Sequence, residues 1–147
     1  MVFEVPERFP LVIATATGTV FLNVYQYNNV DRARTAAGIK YPQLYAEQAE
    51  LAKNPMALKF NCAQRAHQNT LESITYVLLM SFVTGLNYPV AASGLLAAWI
   101  IGRVQYTYKY SQGDASKRGG QLFNIALTGL ILTSVASAGQ LVYAMYK

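Results

Sequence analysis

Three long stretches of this sequence contain no Asp, Glu, Lys or Arg: between Arg8 and Asp31, between Glu72 and Arg103, and between Arg118 and Lys147. A helix crossing a hydrocarbon layer about 30 Å thick needs roughly 20 mostly apolar residues. The first gap has room for one such helix, and the last for one with slack. The middle gap is too long for one and contains Asn87-Tyr88-Pro89, a turn signal that divides it. The pattern predicts an all-α chain: a single membrane-spanning four-helix bundle over 1–147, with spans at about 9–29, 62–86, 90–110 and 121–146. A β-barrel does not fit, because the segments lack period-two alternation. A soluble bundle does not account for charge-free stretches of this length.

Composition supports the same reading. Only 13% of the 147 residues are charged, against roughly 25% in ordinary soluble domains. The net charge of +5 is concentrated in two loops. Arg32, Arg34, Lys40, Lys53 and Lys59 lie between spans one and two; Lys109, Lys117 and Arg118 lie at the junction of spans three and four. Basic residues that flank spans set topology and attract anionic headgroups, so both loops are expected in the cytosol and nucleic acid is not an expected partner. Lys53, Lys59 and Lys109 are expected beside the headgroups. The leader Met1–Arg8 carries Glu4 and Glu7 against one Arg. A cleavable signal wants a basic start, so the first segment is expected to stay as a span. The single cysteine, Cys62, can form no intrachain disulfide.

Within this apolar frame two polar faces stand out. Arg65, Asn69, Glu72 and Tyr76 recur at i, i+4, i+7 and i+11, which places them on one side of a helix. Arg103, Tyr106 and Tyr110 do the same on the third span. Polar groups inside membrane helices are costly and mark function by default. One reading is an Arg65–Glu72 or Arg103–Glu72 ion pair that only locks helices together. The other is a ligand site. Arginines grip carboxylates through paired N–H donors, Glu72 would accept from an ammonium, and phenols would donate, which suits a small zwitterion with surplus negative charge. No metal is expected, since Cys62 and His67 lack further ligands. No Ser-His-Asp set, phosphate-binding glycine loop or nucleic-acid motif is present. Small residues recur every fourth position at Gly94, Ala98 and Gly102 and at Gly129, Thr133 and Ser137. Such faces serve close helix packing, within one chain or between subunits.

The run Phe60-Asn61-Cys62-Ala63-Gln64-Arg65-Ala66-His67-Gln68-Asn69-Thr70-Leu71-Glu72 resembles the signature of the MAPEG family (membrane-associated eicosanoid and glutathione metabolism). The nearest subgroup is the type 3 microsomal glutathione S-transferases. Ala33-Arg34 with Tyr41-Pro42, Ala92-Ser93-Gly94-Leu95, Gly102-Arg103-Val104 and Gly113-Asp114-Ala115-Ser116-Lys117-Arg118 follow in matching order. The resemblance implies a homotrimer in the endoplasmic reticulum, with the outer mitochondrial membrane as a second location. It also implies glutathione as co-substrate, bound between subunits near the cytosolic surface. Arg34, Arg65, His67, Asn69, Glu72, Tyr106 and Tyr110 match glutathione-contacting positions, and Arg103 joins them from its place on the polar face. Arg118, or else Lys117, matches the arginine held to stabilise the thiolate. The partners implied are lipophilic electrophiles and lipid hydroperoxides, and the activities are transferase and peroxidase. Thr35 and Ser73 depart from the leukotriene-forming members, which weakens leukotriene C synthase-like chemistry more than glutathione binding. A non-catalytic lipid-binding scaffold of the same superfamily and a small transporter bundle are the competing readings.

Overall fold

The computed structural model describes residues 5–114, 116 and 119–147. Five helices follow in order: α1 Pro10–Ala37, α2 Gln48–Leu51, α3 Pro55–Gly85, α4 Pro89–Tyr110 and α5 Gln121–Ala144, with no strand among the described residues. Three of them begin on proline, whose fixed φ and missing N–H suit a first helical position. Gly38 terminates α1. At φ +67 it takes the left-handed conformation, and Gly38 N–H and Ile39 N–H donate back to the Thr35 and Arg34 carbonyls, a Schellman stop.

α1 and α3 are longer than the apolar stretches they contain. The segment between the first two expected spans is largely helical: α1 continues to Ala37, α2 lies inside the segment, and α3 starts about two turns before Cys62. The Asn54-Pro55 step opens α3, with Asn54 Oδ1 accepting from Met56 N–H at 2.9 Å. At 1.5 Å per residue the four long helices measure about 42, 46, 33 and 36 Å. One described helix, α5, is long and apolar enough to cross a membrane by length and composition alone. The other three are diluted by polar side chains, such as Asn23 and Gln26 in α1, Arg65 and Glu72 in α3, and Arg103 in α4. Along α5, Ile125, Leu132 and Val135 are each exposed, Ile125 by 69%, an apolar surface of the kind that lipid or a partner covers.

The chain forms two compact units. The first comprises 1–20, 73–102 and 121–147. Its buried residues include Val12, Val77, Leu96, Trp99 and Leu130. Here the small-residue positions meet neighbours within the chain. A Cβ on Gly102 would lie 2.6 Å from the Phe123 backbone nitrogen, and one on Gly129 would lie 2.8 Å from a Leu95 methyl. Gly94 faces open space. Ser137 donates to the Val83 carbonyl and accepts from Asn87. Thr84 and Thr133 share a hydrogen bond.

The second unit comprises 21–72 and 103–120. Val30, Ala37, Ile39, Ala46, Ala57, Phe60 and Ala63 form its apolar core. The turn after α1 is tied down by side chains: Asn61 exchanges two hydrogen bonds with the Ala46 backbone, and Asn54 donates to the Ala37 carbonyl. In both units hydroxyls return their protons to their own helix; Ser81 and Ser93 in the first and Thr70 and Thr107 in the second each donate to a carbonyl four residues back. This satisfies a polar side chain without water.

Candidate functional site

The candidate site lies wholly in the second unit and is built on α1, α3 and α4. Its innermost group is Arg103, only 1% exposed. A buried guanidinium must have its donors satisfied. Nε donates to Thr70 Oγ1 at 3.1 Å and Nη2 to Asn69 Oδ1 at 3.2 Å. Its carbon lies 5.1 Å from the Tyr106 ring centroid, within cation–π range. Tyr106 in turn meets Tyr110 edge to face at 5.5 Å. The polar faces of α3 and α4 are therefore in direct contact through Asn69 and Arg103.

Behind this contact lies a residue that sequence reasoning did not single out. Gln26 of α1 is fully buried. Its Nε2 donates to Thr70 Oγ1 at 2.8 Å and to Thr107 Oγ1 at 2.7 Å. Both hydroxyls have already given their protons to helix carbonyls, so both can only accept. That fixes the amide orientation, because a flipped Gln26 would set its oxygen against two acceptors. Gln26 Oε1 is left buried without a partner among the described residues. The one sequence signal for this knot was an amide inside a charge-free stretch.

The outer part of the face is different. Arg65 Nη1 donates to Glu72 Oε1 at 2.8 Å, with side chains 43% and 51% exposed. The Arg65–Glu72 pair is thus formed, and the alternative Arg103–Glu72 pair gives way to Arg103 with Asn69 and Thr70. Tyr76, one turn beyond Glu72, is exposed. His67 is half-buried. Cys62 is buried, as befits a small packing residue.

Arg34 differs from expectation. It is 5% exposed, with its guanidinium carbon 4.2 Å from the Tyr41 ring and 4.5 Å from the Phe60 ring. Nη1 donates to the Gln43 carbonyl at 2.7 Å, and Nε is buried without a partner. In this chain Arg34 pins the segment after α1, a use that leaves little surface for a ligand. Arg118 and Lys117, the residues expected to stabilise a thiolate, lie outside the described residues. Among the described residues no group of three or more His, Cys, Asp or Glu side chains could hold a metal ion.

The site therefore has a buried half and an open half. The buried half, Gln26, Thr70, Thr107, Asn69 and Arg103, fixes three helices. The open half presents a guanidinium and a carboxylate side by side, with half-buried Tyr110 of the neighbouring helix set edge to face against buried Tyr106. This arrangement can bind a molecule with both anionic and cationic ends. A family model described as the MAPEG family matches residues 12–139, a span that includes every residue of the site.

Proposed function

From the premise that this chain belongs to the MAPEG family, whose members are membrane proteins that bind glutathione and act as trimers, we propose that it is a membrane-bound glutathione transferase of the type 3 microsomal kind, spanning the bilayer four times. The observation that carries this reading is the exposed Arg65–Glu72 pair at 2.8 Å, braced by Asn69 and the buried Arg103. Glutathione has two carboxylates, one ammonium and two amides. Arg65 would hold a carboxylate, Glu72 the ammonium, and Asn69 an amide, with Tyr106 and Tyr110 supplying phenolic donors and His67 at the margin. Arg34 acts as a positioning residue through the segment it pins. The site sits in the basic, cytosolic half, in the endoplasmic reticulum.

Bound glutathione supplies a cysteine thiol whose anion attacks electrophiles and reduces hydroperoxides. A free thiol has a pKa of about 8.5 and is only slightly ionised at neutral pH. Lowering that value by two requires about 2.7 kcal/mol of differential interaction, within the range of one arginine in a partly desolvated site. Arg118 is the residue assigned to this role. Lipophilic electrophiles and lipid hydroperoxides would arrive through the bilayer, beside a polar pocket open to the cytosol. Thr35 and Ser73 argue against epoxide-specific leukotriene chemistry as the main activity.

A scaffold protein of the same superfamily would not need the open ion pair and the paired tyrosines. Purified protein should turn over both a lipid hydroperoxide and a chlorinated aromatic with glutathione. Binding of glutathione without turnover of either would favour the scaffold. Failure to bind it would leave the transporter reading.

A further inference from the structure

A second cluster of charge lies in the same unit, away from the Arg65 face. A cavity of about 230 Å³ opens beside the C-terminal turns of α1 and the first turns of α3. Both charged side chains that line it, Arg32 and Lys59, are cations, and no carboxylate lines it among the described residues. Neither cation has an ion-pair partner among the described residues; the pair found there is Arg65 with Glu72. The remaining polar lining is Asn29 and Ser111. Asn29 Nδ2 donates to Ser111 Oγ at 2.8 Å, which leaves the Ser111 proton available as a further donor. The floor is apolar, formed by Ala33, Ala36 and Met56.

Lys59 is aimed by its surroundings. Its stem runs over Gly113, where a Cβ would come within 3.0 Å of Lys59 Cγ. Gly113 also takes φ +86, a conformation that favours glycine. The turn after α4 therefore leaves room for this lysine along its backbone. Two cations and a hydroxyl over an apolar floor match a phosphate that carries a hydrocarbon-bearing group. The depth is also suitable. Asn29 lies one residue before the end of the first charge-free stretch and Arg32 is the second charge after it, so the cavity sits at the boundary between hydrocarbon and headgroups. Basic pockets between helices on the cytosolic side hold anionic lipid headgroups by this chemistry.

We propose that Arg32, Lys59 and Ser111 bind the phosphate of an anionic phospholipid, with its glycerol and first methylenes on Ala33, Ala36 and Met56. The proposal rests on the membrane placement given above and not on glutathione binding. The full chain in neutral detergent would be titrated with phosphatidylglycerol, with phosphatidylcholine of equal chain length and with inorganic phosphate, and retained lipid read by native mass spectrometry. Wild type should prefer phosphatidylglycerol by roughly ten- to thirtyfold, the scale of two basic side chains at a membrane surface. Arg32→Gln/Lys59→Gln should lose that preference, and Lys40→Gln/Lys53→Gln, which removes equal charge from the segment between α1 and α3, should keep it. Each single variant should give an intermediate value if the double variant misfolds. Equal retention of the two lipids by wild type, equal losses in both double variants, or displacement of lipid by equimolar inorganic phosphate would each overturn the proposal. A chain that stays soluble without detergent would instead overturn the membrane placement.

Discussion

Arg103 and Asn69 meet at 3.2 Å, guanidinium Nη2 to carboxamide oxygen, so the buried cation of α4 orients the amide at the centre of the α3 polar face. Arg103→Lys retains the charge but loses reach and the planar fork that meets Asn69 and Thr70 together. Hydrogen bonds to charged groups contribute about 1.5–3 kcal/mol each. The variant should unfold at a lower temperature and bind glutathione roughly tenfold more weakly, as read by calorimetry and equilibrium binding. Unchanged affinity would separate Arg103 from the site.

Gln26 should matter for stability although it touches no expected ligand position. Gln26→Leu leaves Thr70 and Thr107 without the amide that bridges them. A buried polar group stripped of its partner costs about 1–3 kcal/mol. The variant should show a lowered denaturation midpoint. Gln26→Glu should fare worse than Gln26→Leu, because it would bury a carboxylate against two hydroxyl oxygens that can only accept.

Glu72 should show the opposite balance. The Arg65–Glu72 pair is about half exposed, and exposed pairs contribute at most about 1 kcal/mol. Glu72→Gln should therefore leave thermal stability nearly unchanged and weaken glutathione binding severalfold. A large loss of stability with intact binding would make the pair a structural lock.

The small-residue faces give a packing prediction. Gly102→Ala would set a methyl against the Phe123 backbone, 2.6 Å from its nitrogen, and should destabilise the chain clearly, because backbone cannot yield as a side-chain end can. Gly94→Ala meets nothing within 4 Å in the chain and should be tolerated in the monomer. If Gly94→Ala disrupts assembly instead, as read by size-exclusion chromatography with light scattering, its face is a subunit contact.

Helical class was readable because charge-free length and the lack of period-two alternation act locally, and the turn at Asn87-Tyr88-Pro89 separates α3 from α4 as expected. The relation of Arg65 to Glu72 was readable too, since two residues seven apart share a helical face whatever surrounds them. The partner of Arg103 was not. Its neighbours Asn69 and Thr70 are distant in sequence, and the choice between them and Glu72 depends on how α3 and α4 pack. Gln26 was missed for the same reason. Its role exists only because Thr70 and Thr107 have spent their hydroxyl protons on their own helices. Arg34 was read from its place in a motif, and its enclosure by Tyr41 and Phe60 needed the path of the chain beyond Gly38. α3 begins before the expected span because Lys59 interrupts the apolar run Met56-Ala57-Leu58 of its first turns, and a span read from the absence of charge starts after it.

On the proposed function this polar face holds glutathione and favours its thiolate. The direct test is a glutathione titration of the purified protein, following ultraviolet thiolate absorbance in wild type and in Arg65→Ala, Arg103→Ala and Arg118→Ala. The predicted result is a saturable thiolate signal in wild type, weaker affinity in the Arg65 and Arg103 variants, and loss of the signal with binding retained in the Arg118 variant. No saturable signal in wild type, or an undiminished one in all three variants, would contradict it.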